Sequence, residues 1–232
     1  MRDEAIKIFE GARSEGRGFL FEHEAKNLCA IYGIPVTRFI VAETEEGAVE
    51  AAREIGFPIV LKIVSPQVLH KSDAGGVIVN IRDEEGIRAG YNEILESVKA
   101  KVPDAVIKGI FVQEMAPDST EVIVGSTKDS TFGPVIMFGL GGIFVEILKD
   151  VSFRLVPIDR TDAEEMIREI RSYKILEGAR GMPKADQDAI VEVLLKTSEM
   201  LMDCPEIKEL DMNPVLVYEK GAKAIDARVI LE

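Results

Sequence analysis

The chain is poor in cysteine: Cys29 and Cys204 are the only two among 232 residues, which excludes a disulfide framework. With two histidines, His23 and His70, it offers no Cys/His cluster at zinc spacing. It lacks a long hydrophobic run. The longest nearly uncharged apolar stretch, Val135 to Val145, is too short to span a bilayer and is broken by glycines. Met1-Arg2-Asp3-Glu4 carries no apolar segment of a secretory signal, so the cytoplasm is the expected location, with no membrane partner. Positive charge is in deficit, 28 Lys and Arg against 41 Asp and Glu, for a net charge of −13. A nucleic-acid surface is thereby disfavoured, because such affinity comes from neutralising phosphates. A single nucleotide needs only a few local cations and amides and is not excluded. Asn and Gln are scarce beside Glu, Lys and Arg, a balance that hints at a thermophilic source.

Several catalytic signatures are also missing. There is no G-x-x-x-x-G-K-[ST] loop, no nucleophile elbow and no Ser/His/Asp order. Gly139-Leu-Gly141-Gly142 imitates a dinucleotide fingerprint. The residues after it, Ile143-Phe-Val-Glu146-Ile, read as strand rather than helix, so a close backbone turn near a ligand fits better.

What is present is an ordinary globular balance, 47% hydrophobic and 30% charged residues, in alternating helical and strand-like patterns without repeats. A first helix carries Ala5, Ile8, Phe9 and Ala12 on one face. A second runs from about Glu22 to Tyr32, buries Ala25, Leu28, Cys29 and Tyr32 on one stripe, and stops at Gly33. There follow a strand near Val36–Val41, a helix from Thr44 to Gly56, a strand Ile59–Val64, a strand Val77–Arg82 and a helix from Asp83 to about Lys101. The second half is richer in strand: Ile110–Met115, Glu121–Thr127, Val135–Phe138 and Phe153–Ile158. Thr161-x-x-Glu164 reads as a capping box. Pro183 reads as the start of a helix with Ile190, Val193, Leu194, Thr197 and Leu201 at helical spacing. Two strands, Ile207–Tyr218 and Ala222–Ile230, close the chain. The whole suggests an α/β protein of two α+β lobes.

The last two strands carry the most information. Alternation places Glu209, Asp211 and Asn213 on one face. A short hairpin around Glu219-Lys220-Gly221 brings Asp226 opposite Asn213 or one step diagonal, within about 4.5–8 Å. Two aspartates and an asparagine converging on a ribbon are hard oxygen ligands suited to Mg²⁺ held with substrate phosphates; a solvated polar face is the plainer alternative. Lys62 lies in the otherwise apolar strand Ile59–Val64 and must either snorkel to water or meet an anion such as phosphate. Between two strands, His70-Lys71-Ser72-Asp73-Ala-Gly75-Gly76 gathers a histidine, a lysine, a serine and two glycines. Glycines let backbone amides approach phosphate oxygens, and an exposed His70 can act as nucleophile or acid/base. His23, at a helix start, reads as structural.

Lys62, the His70–Val77 loop, Gln113-Glu114-Met115, Glu121, Gly139-Leu-Gly-Gly142 and Asp211-Met-Asn-Pro214, in this order, resemble an ATP-grasp domain. More narrowly they resemble the β subunit of ADP-forming acetate–CoA ligase, a relative of the succinyl-CoA synthetase β chain. The resemblance covers essentially the whole chain. It implies an ATP-grasp fold with the nucleotide in a cleft between two lobes: a larger one of residues 1–35 and 113–232, a smaller one of residues 36–112. The reaction implied is acyl-CoA + ADP + phosphate ⇌ acid + ATP + CoA through phosphohistidine. Lys62, with Lys71, Ser72, Gly75 and Gly76, corresponds to nucleotide phosphate binding, Glu114 to the hinge beside adenine, and Glu121 to the ribose. Asn213 and Asp226, with Asp211, correspond to Mg²⁺ ligands; Asp211 also joins His70, the carrier of the phosphoryl group, in the catalytic set. The family supplies CoA binding and a first phosphohistidine on a partner α subunit in an α2β2 assembly. An ATP-grasp carboxylate–amine ligase and a non-catalytic nucleotide-binding subunit remain as alternatives.

Overall fold

The computed structural model describes residues 1–68, 70–142, 149–178 and 183–232. The chain divides into two compact units: Thr37–Pro117, and Met1–Val36 together with Asp118–Glu232. In chain order the second of these opens with α1 (Arg2–Ser14), β1 (Phe19–Leu20) and α2 (Glu22–Ile31). The unit Thr37–Pro117 contains β2 (Phe39–Ala42), α3 (Glu45–Ile55), β3 (Ile59–Val64), β4 (Val77–Ile81), α4 (Glu84–Lys101) and β5 (Gly109–Glu114). The remainder runs β6 (Thr120–Asp129), β7 (Gly133–Leu140), β8 (Val151–Leu155), α5 (Arg160–Glu169), a 3-10 turn (Tyr173–Ile175) and α6 (Gln187–Asp203). It ends on β9 (Ile207–Val217), β10 (Ala222–Ala224) and β11 (Arg228–Leu231).

In the smaller unit the strands form an antiparallel sheet in the order β2-β5-β3-β4. Its two helices start where polar caps satisfy backbone donors: Thr44 accepts from Gly47 N at 3.1 Å, and Asp83 from Gly86 N at 2.8 Å. Gly56, at φ 91°, ends α3. Strict alternation on the central strand sends Ile59, Leu61 and Ile63 to one face, where they join Ile110 and Val112 in a core with Ala48, Ala52, Ile87 and Ile94. Each such side chain contributes roughly 1.5–3 kcal/mol by leaving water. Lys62 points to the other face.

The larger unit is built on seven strands in the order β1-β11-β9-β6-β7-β8, with β10 also paired to β9. Val122, Val124, Ile136, Phe138, Leu210 and Met212 line its core face with Phe9, Leu28 and Leu194. Both cysteines are buried and free, with Cys29 on the stripe of Ala25, Leu28 and Tyr32. No helix among the described residues is long and apolar enough to cross a membrane.

Several local expectations are corrected. The helix cap is Asp159 with Asp162, not Thr161 with Glu164: the Asp159 carboxylate accepts from Asp162 N at 2.9 Å, and the Asp162 carboxylate accepts from Asp159 N at 3.0 Å. Pro183 does not open the next helix; Asp186 caps it, accepting from Ala189 N, and α6 starts at Gln187. Near Val36 there is only an isolated bridge to Ala224, and β2 begins at Phe39. The strand expected at Phe153–Ile158 starts and ends earlier, at Val151–Leu155. The final strand is split, with residues 225–227 interrupting β10 and β11. The strand proposed for Ile143–Ile147 lies outside the described residues.

Candidate active site

In the smaller unit Lys62 sits between Val77 and Phe111 as Cα partners on β4 and β5. Only 8% exposed, it does not snorkel to water. Its Nζ lies 5.7 Å from the centroid of the Phe111 ring and 3.5 Å from Gln113 Oε1. Phe39 stacks on Phe111 with centroids 4.9 Å apart. This is a cation held on an aromatic and amide surface, the environment in which cation–π attraction reaches about 2 kcal/mol. Glu114 closes β5: its carboxylate accepts from Arg38 Nε at 2.9 Å and Arg38 N at 3.1 Å, while its own amide donates to Arg38 O at 3.0 Å.

The loop between β3 and β4 is tied at its base. The amides of Ala74, Gly75 and Gly76 donate to the carbonyls of His70, Ser72 and Lys71 at 3.3, 3.0 and 2.7 Å. Lys101 Nζ donates to Asp73 O at 2.7 Å. Ala74 is buried in the core, whereas His70, Ser72 and Asp73 are exposed and Lys71 half-buried. The two glycines are explained by packing. A Cβ on Gly76 would lie 2.5 Å from Ile63 Cγ2, and Gly75, at φ +69°, would meet Ser97 Cβ at 2.9 Å. Their amides are bonded within the loop, to Ser72 O and Lys71 O, a finding the sequence did not anticipate. The carbonyl of Gly76 completes the frame by accepting from Ile63 N at 2.8 Å.

In the larger unit, burial alternates along β9 so that Leu210 and Met212 enter the core while Glu209, Asp211 and Asn213 share the opposite, more open face. Ala224 pairs with Val215 and Arg228 with Asp211, and Ile225 N donates to Pro214 O at 2.9 Å. That register puts Asp226 level with Asn213. The hairpin turn carries Gly221 at φ 83°, with Tyr218 N donating to Gly221 O at 3.0 Å. Burial, then the neighbouring carboxylate of Asp226, raises the Asp211 pKa, while Arg228 pulls against both. Asp211 Oδ1 is buried and has no hydrogen-bond partner. Among the described residues no three His, Cys, Asp or Glu groups form a cage. Two carboxylates, an amide and an unsatisfied oxygen suit instead a cation that retains water and phosphate ligands, the habit of Mg²⁺.

Glu121 is exposed on β6, and its carbonyl accepts from Gly141 N at 2.9 Å. Gly141 is needed for that approach, since a Cβ there would lie 3.0 Å from Glu121 Cβ. A cavity of about 580 Å³ opens beside Thr120, Pro183, Tyr218 and Lys220, at the end of β9 remote from Asp211. The sequence-derived candidates thus fall into two sets. Lys62, the His70–Gly76 loop and Glu114 belong to the smaller unit; Glu121, Asp211, Asn213 and Asp226 belong to the larger. Sequence reasoning missed Arg228 as the counter-charge beside Asp211. It also missed Lys26, fully buried in α2, although a lysine three residues before buried Cys29 on a helix was a signal.

Residues 11–231 match the ATP-grasp domain family. The chain is 52% identical over 227 residues to subunit β of the ADP-forming acetate–CoA ligase I of Pyrococcus furiosus, covering 98% of this chain and 97% of that one. Dinucleotide-forming acetyl-coenzyme A synthetase 1 of Ca. Korarchaeum cryptofilum, solved with coenzyme A, Ca-AMPCP and HgCl+, superposes with a TM-score of 0.95 at 53% identity, over 97% of this chain and 99% of that one. A structure of the same synthetase with coenzyme A and Mg-AMPPCP, its phosphohistidine segment pointing towards the nucleotide binding site, gives a TM-score of 0.88 at 48% identity, over 98% and 100%. With its two antiparallel sheets in the ATP-grasp fold, the chain belongs to the ATP-grasp family and, within it, to the β subunits of ADP-forming acetate–CoA ligases.

Proposed function

We propose that this β subunit carries a phosphoryl group on His70 and delivers it to ADP, within a cytoplasmic α2β2 assembly. The α subunit brings the CoA site and the first phosphohistidine. The observation that carries the proposal is the build of the His70 loop: an exposed imidazole on a segment whose far side is fixed by the amides of residues 74–76 and by Lys101. An imidazole nitrogen can attack phosphorus and displace the previous carrier. In the second step a β-phosphate oxygen of ADP attacks, the P–N bond breaks, and its electron pair returns to the ring.

Lys62 has the charge and the burial to hold phosphate oxygens, and Lys71 and Ser72 can add donors from the loop. Glu114 borders the adenine at the end of β5, and Glu121 offers a carboxylate to the ribose hydroxyls. Asp211, Asn213 and Asp226 would hold Mg²⁺, whose charge, when bound, offsets that of the phosphates. The synthetase structure solved with Mg-AMPPCP, its phosphohistidine segment pointing towards the nucleotide binding site, supports this reading by kinship.

The test is to incubate the purified chain with γ-labelled ATP and Mg²⁺, with and without an α subunit, and to measure acid-labile, alkali-stable label. Label is expected on the wild type and absent from His70→Ala, which still binds nucleotide. Full turnover by His70→Ala in the reconstituted complex would refute the carrier role.

A further inference from the structure

Lys26 is 0% exposed, a rare position for an ammonium. Its Nζ donates to the carbonyl of Ile225 at 3.1 Å. Ile225 is the first residue of the break between β10 and β11, and the residue before Asp226. Its amide donates to Pro214 O at 2.9 Å, on the residue after Asn213. One step earlier, Ala224 N donates to Pro35 O at 2.8 Å, and Val36 bridges Ala224. The entry to the break is thus tied on three sides: to the segment after α2, to β9 and to α2 itself.

A buried ammonium carries a desolvation cost, so the place where its hydrogen bond lands is informative. The charge has a use where it stands, because the chain it grips leads directly into a pair of carboxylates, Asp226 and Asp211. We propose that Lys26 is a positioning residue for the cation site: by gripping the Ile225 carbonyl it fixes the break in the ribbon and holds Asp226 level with Asn213. The inference rests on the proposed role of Asp211, Asn213 and Asp226 as Mg²⁺ ligands. It adds a residue remote in sequence, on a helix that carries none of them. Positioning groups behind metal ligands commonly change metal affinity 10- to 100-fold when removed.

The experiment compares Lys26→Met, Lys26→Arg and Asp226→Asn in the reconstituted αβ complex. The readouts are the Mg²⁺ concentration at half-maximal labelling of the protein and ADP affinity in EDTA. Lys26→Met is expected to raise the Mg²⁺ midpoint about 10- to 100-fold. ADP affinity without metal should hold, saturating Mg²⁺ should recover turnover, and Lys26→Arg should return the midpoint toward wild type. A midpoint that shifts in Asp226→Asn but not in Lys26→Met would reduce Lys26 to a packing residue and overturn the inference. A midpoint unmoved in both would overturn the metal site and the role of Lys26 with it. If Lys26→Met does not fold, Lys26→Leu, which likewise removes the donor, is titrated in its place and judged by the same criterion.

Discussion

Replacing Asp186 by alanine should cost the larger unit about 2–4 kcal/mol, far more than an ordinary surface change. One carboxylate oxygen caps α6, accepting from Ala189 N at 3.1 Å; the other accepts from Gly221 N at 2.7 Å in the turn between β9 and β10. The cap alone is worth roughly 0.5–2 kcal/mol. A hydrogen bond to an ionised group adds about 1.5–3 kcal/mol, taken toward the lower end because Asp186 is only half-buried. Those amides, Gly221 first and Ala189 next, hold the Asp186 carboxyl below the usual carboxylate range, and partial burial opposes them weakly. The sign follows from linkage: a carboxylate depressed in the folded state contributes its full stability above the unfolded pKa of about 3.9 and loses it as pH falls through the folded value. The gap between wild type and Asp186→Ala should therefore be constant above about pH 5 and narrow below about pH 4. Guanidinium unfolding followed by far-UV circular dichroism measures the gap, and hydrogen exchange at Gly221 reports the hairpin directly. Asp186→Asn retains the cap and should lose about half as much. A loss below about 0.5 kcal/mol for alanine, or a gap that widens in acid, would refute the assignment.

Two further substitutions separate stability from chemistry, alongside His70→Ala and the Lys26 series. Gly76→Ala should destabilise by about 1–3 kcal/mol, because its Cβ would crowd Ile63 Cγ2 at 2.5 Å and Lys71 O at 3.1 Å. Labelling at His70 should fall with it, and an unchanged denaturation midpoint would refute the packing role of the glycine. Lys62→Met should leave stability unchanged or raised, since a buried charge is exchanged for a hydrophobe. The same change should weaken ADP binding about 10- to 100-fold, the equivalent of one lost charged hydrogen bond. Equal affinity by calorimetry would remove Lys62 from the phosphate site.

Elements with strong local signals were legible in the sequence. Ile59–Val64 is a strand at the expected bounds, a short apolar run with a single polar residue, Lys62, and all six of its residues are buried. The stripe of Ala25, Leu28, Cys29 and Tyr32 is buried as its helical spacing requires. Where two local signals compete, spacing alone chose wrongly. Asp159 and Thr161 compete as caps near the start of α5; the aspartate wins because its charge adds to the bond with the helix amides, and Thr161 falls inside the first turn. β1, two residues long, has no periodicity to detect and exists because β11 offers an edge. The split between β10 and β11 was hidden for the converse reason, since Ala224 to Ile230 alternates well enough to pass for one strand.

That split governs how the candidate site is read. Alternation placed Asp211 and Asn213 on one face of β9, and the register confirmed at Ala224–Val215 and Arg228–Asp211 carries Asp226 to the same level. A continuous strand would present Asp226 by the pleat alone. A break frees its backbone from the ladder, and the contacts that grip the flanking peptides then help to set its aim. Here the grips are Pro214 on the same ribbon, Pro35 after α2, and Lys26 on α2, which stands 199 residues before Ile225 in the chain. No pattern along a single strand encodes a contact of that separation; what the sequence does encode is its cost, a charged residue at a core position of a short helix. The His70 loop follows the same logic. Its glycines resemble a phosphate cradle in sequence, yet their amides close the loop on itself and their missing side chains admit Ile63 and Ser97. Under the proposed function, the phosphate-facing chemistry of that loop would rest on His70, Lys71 and Ser72, which the glycines would serve to present.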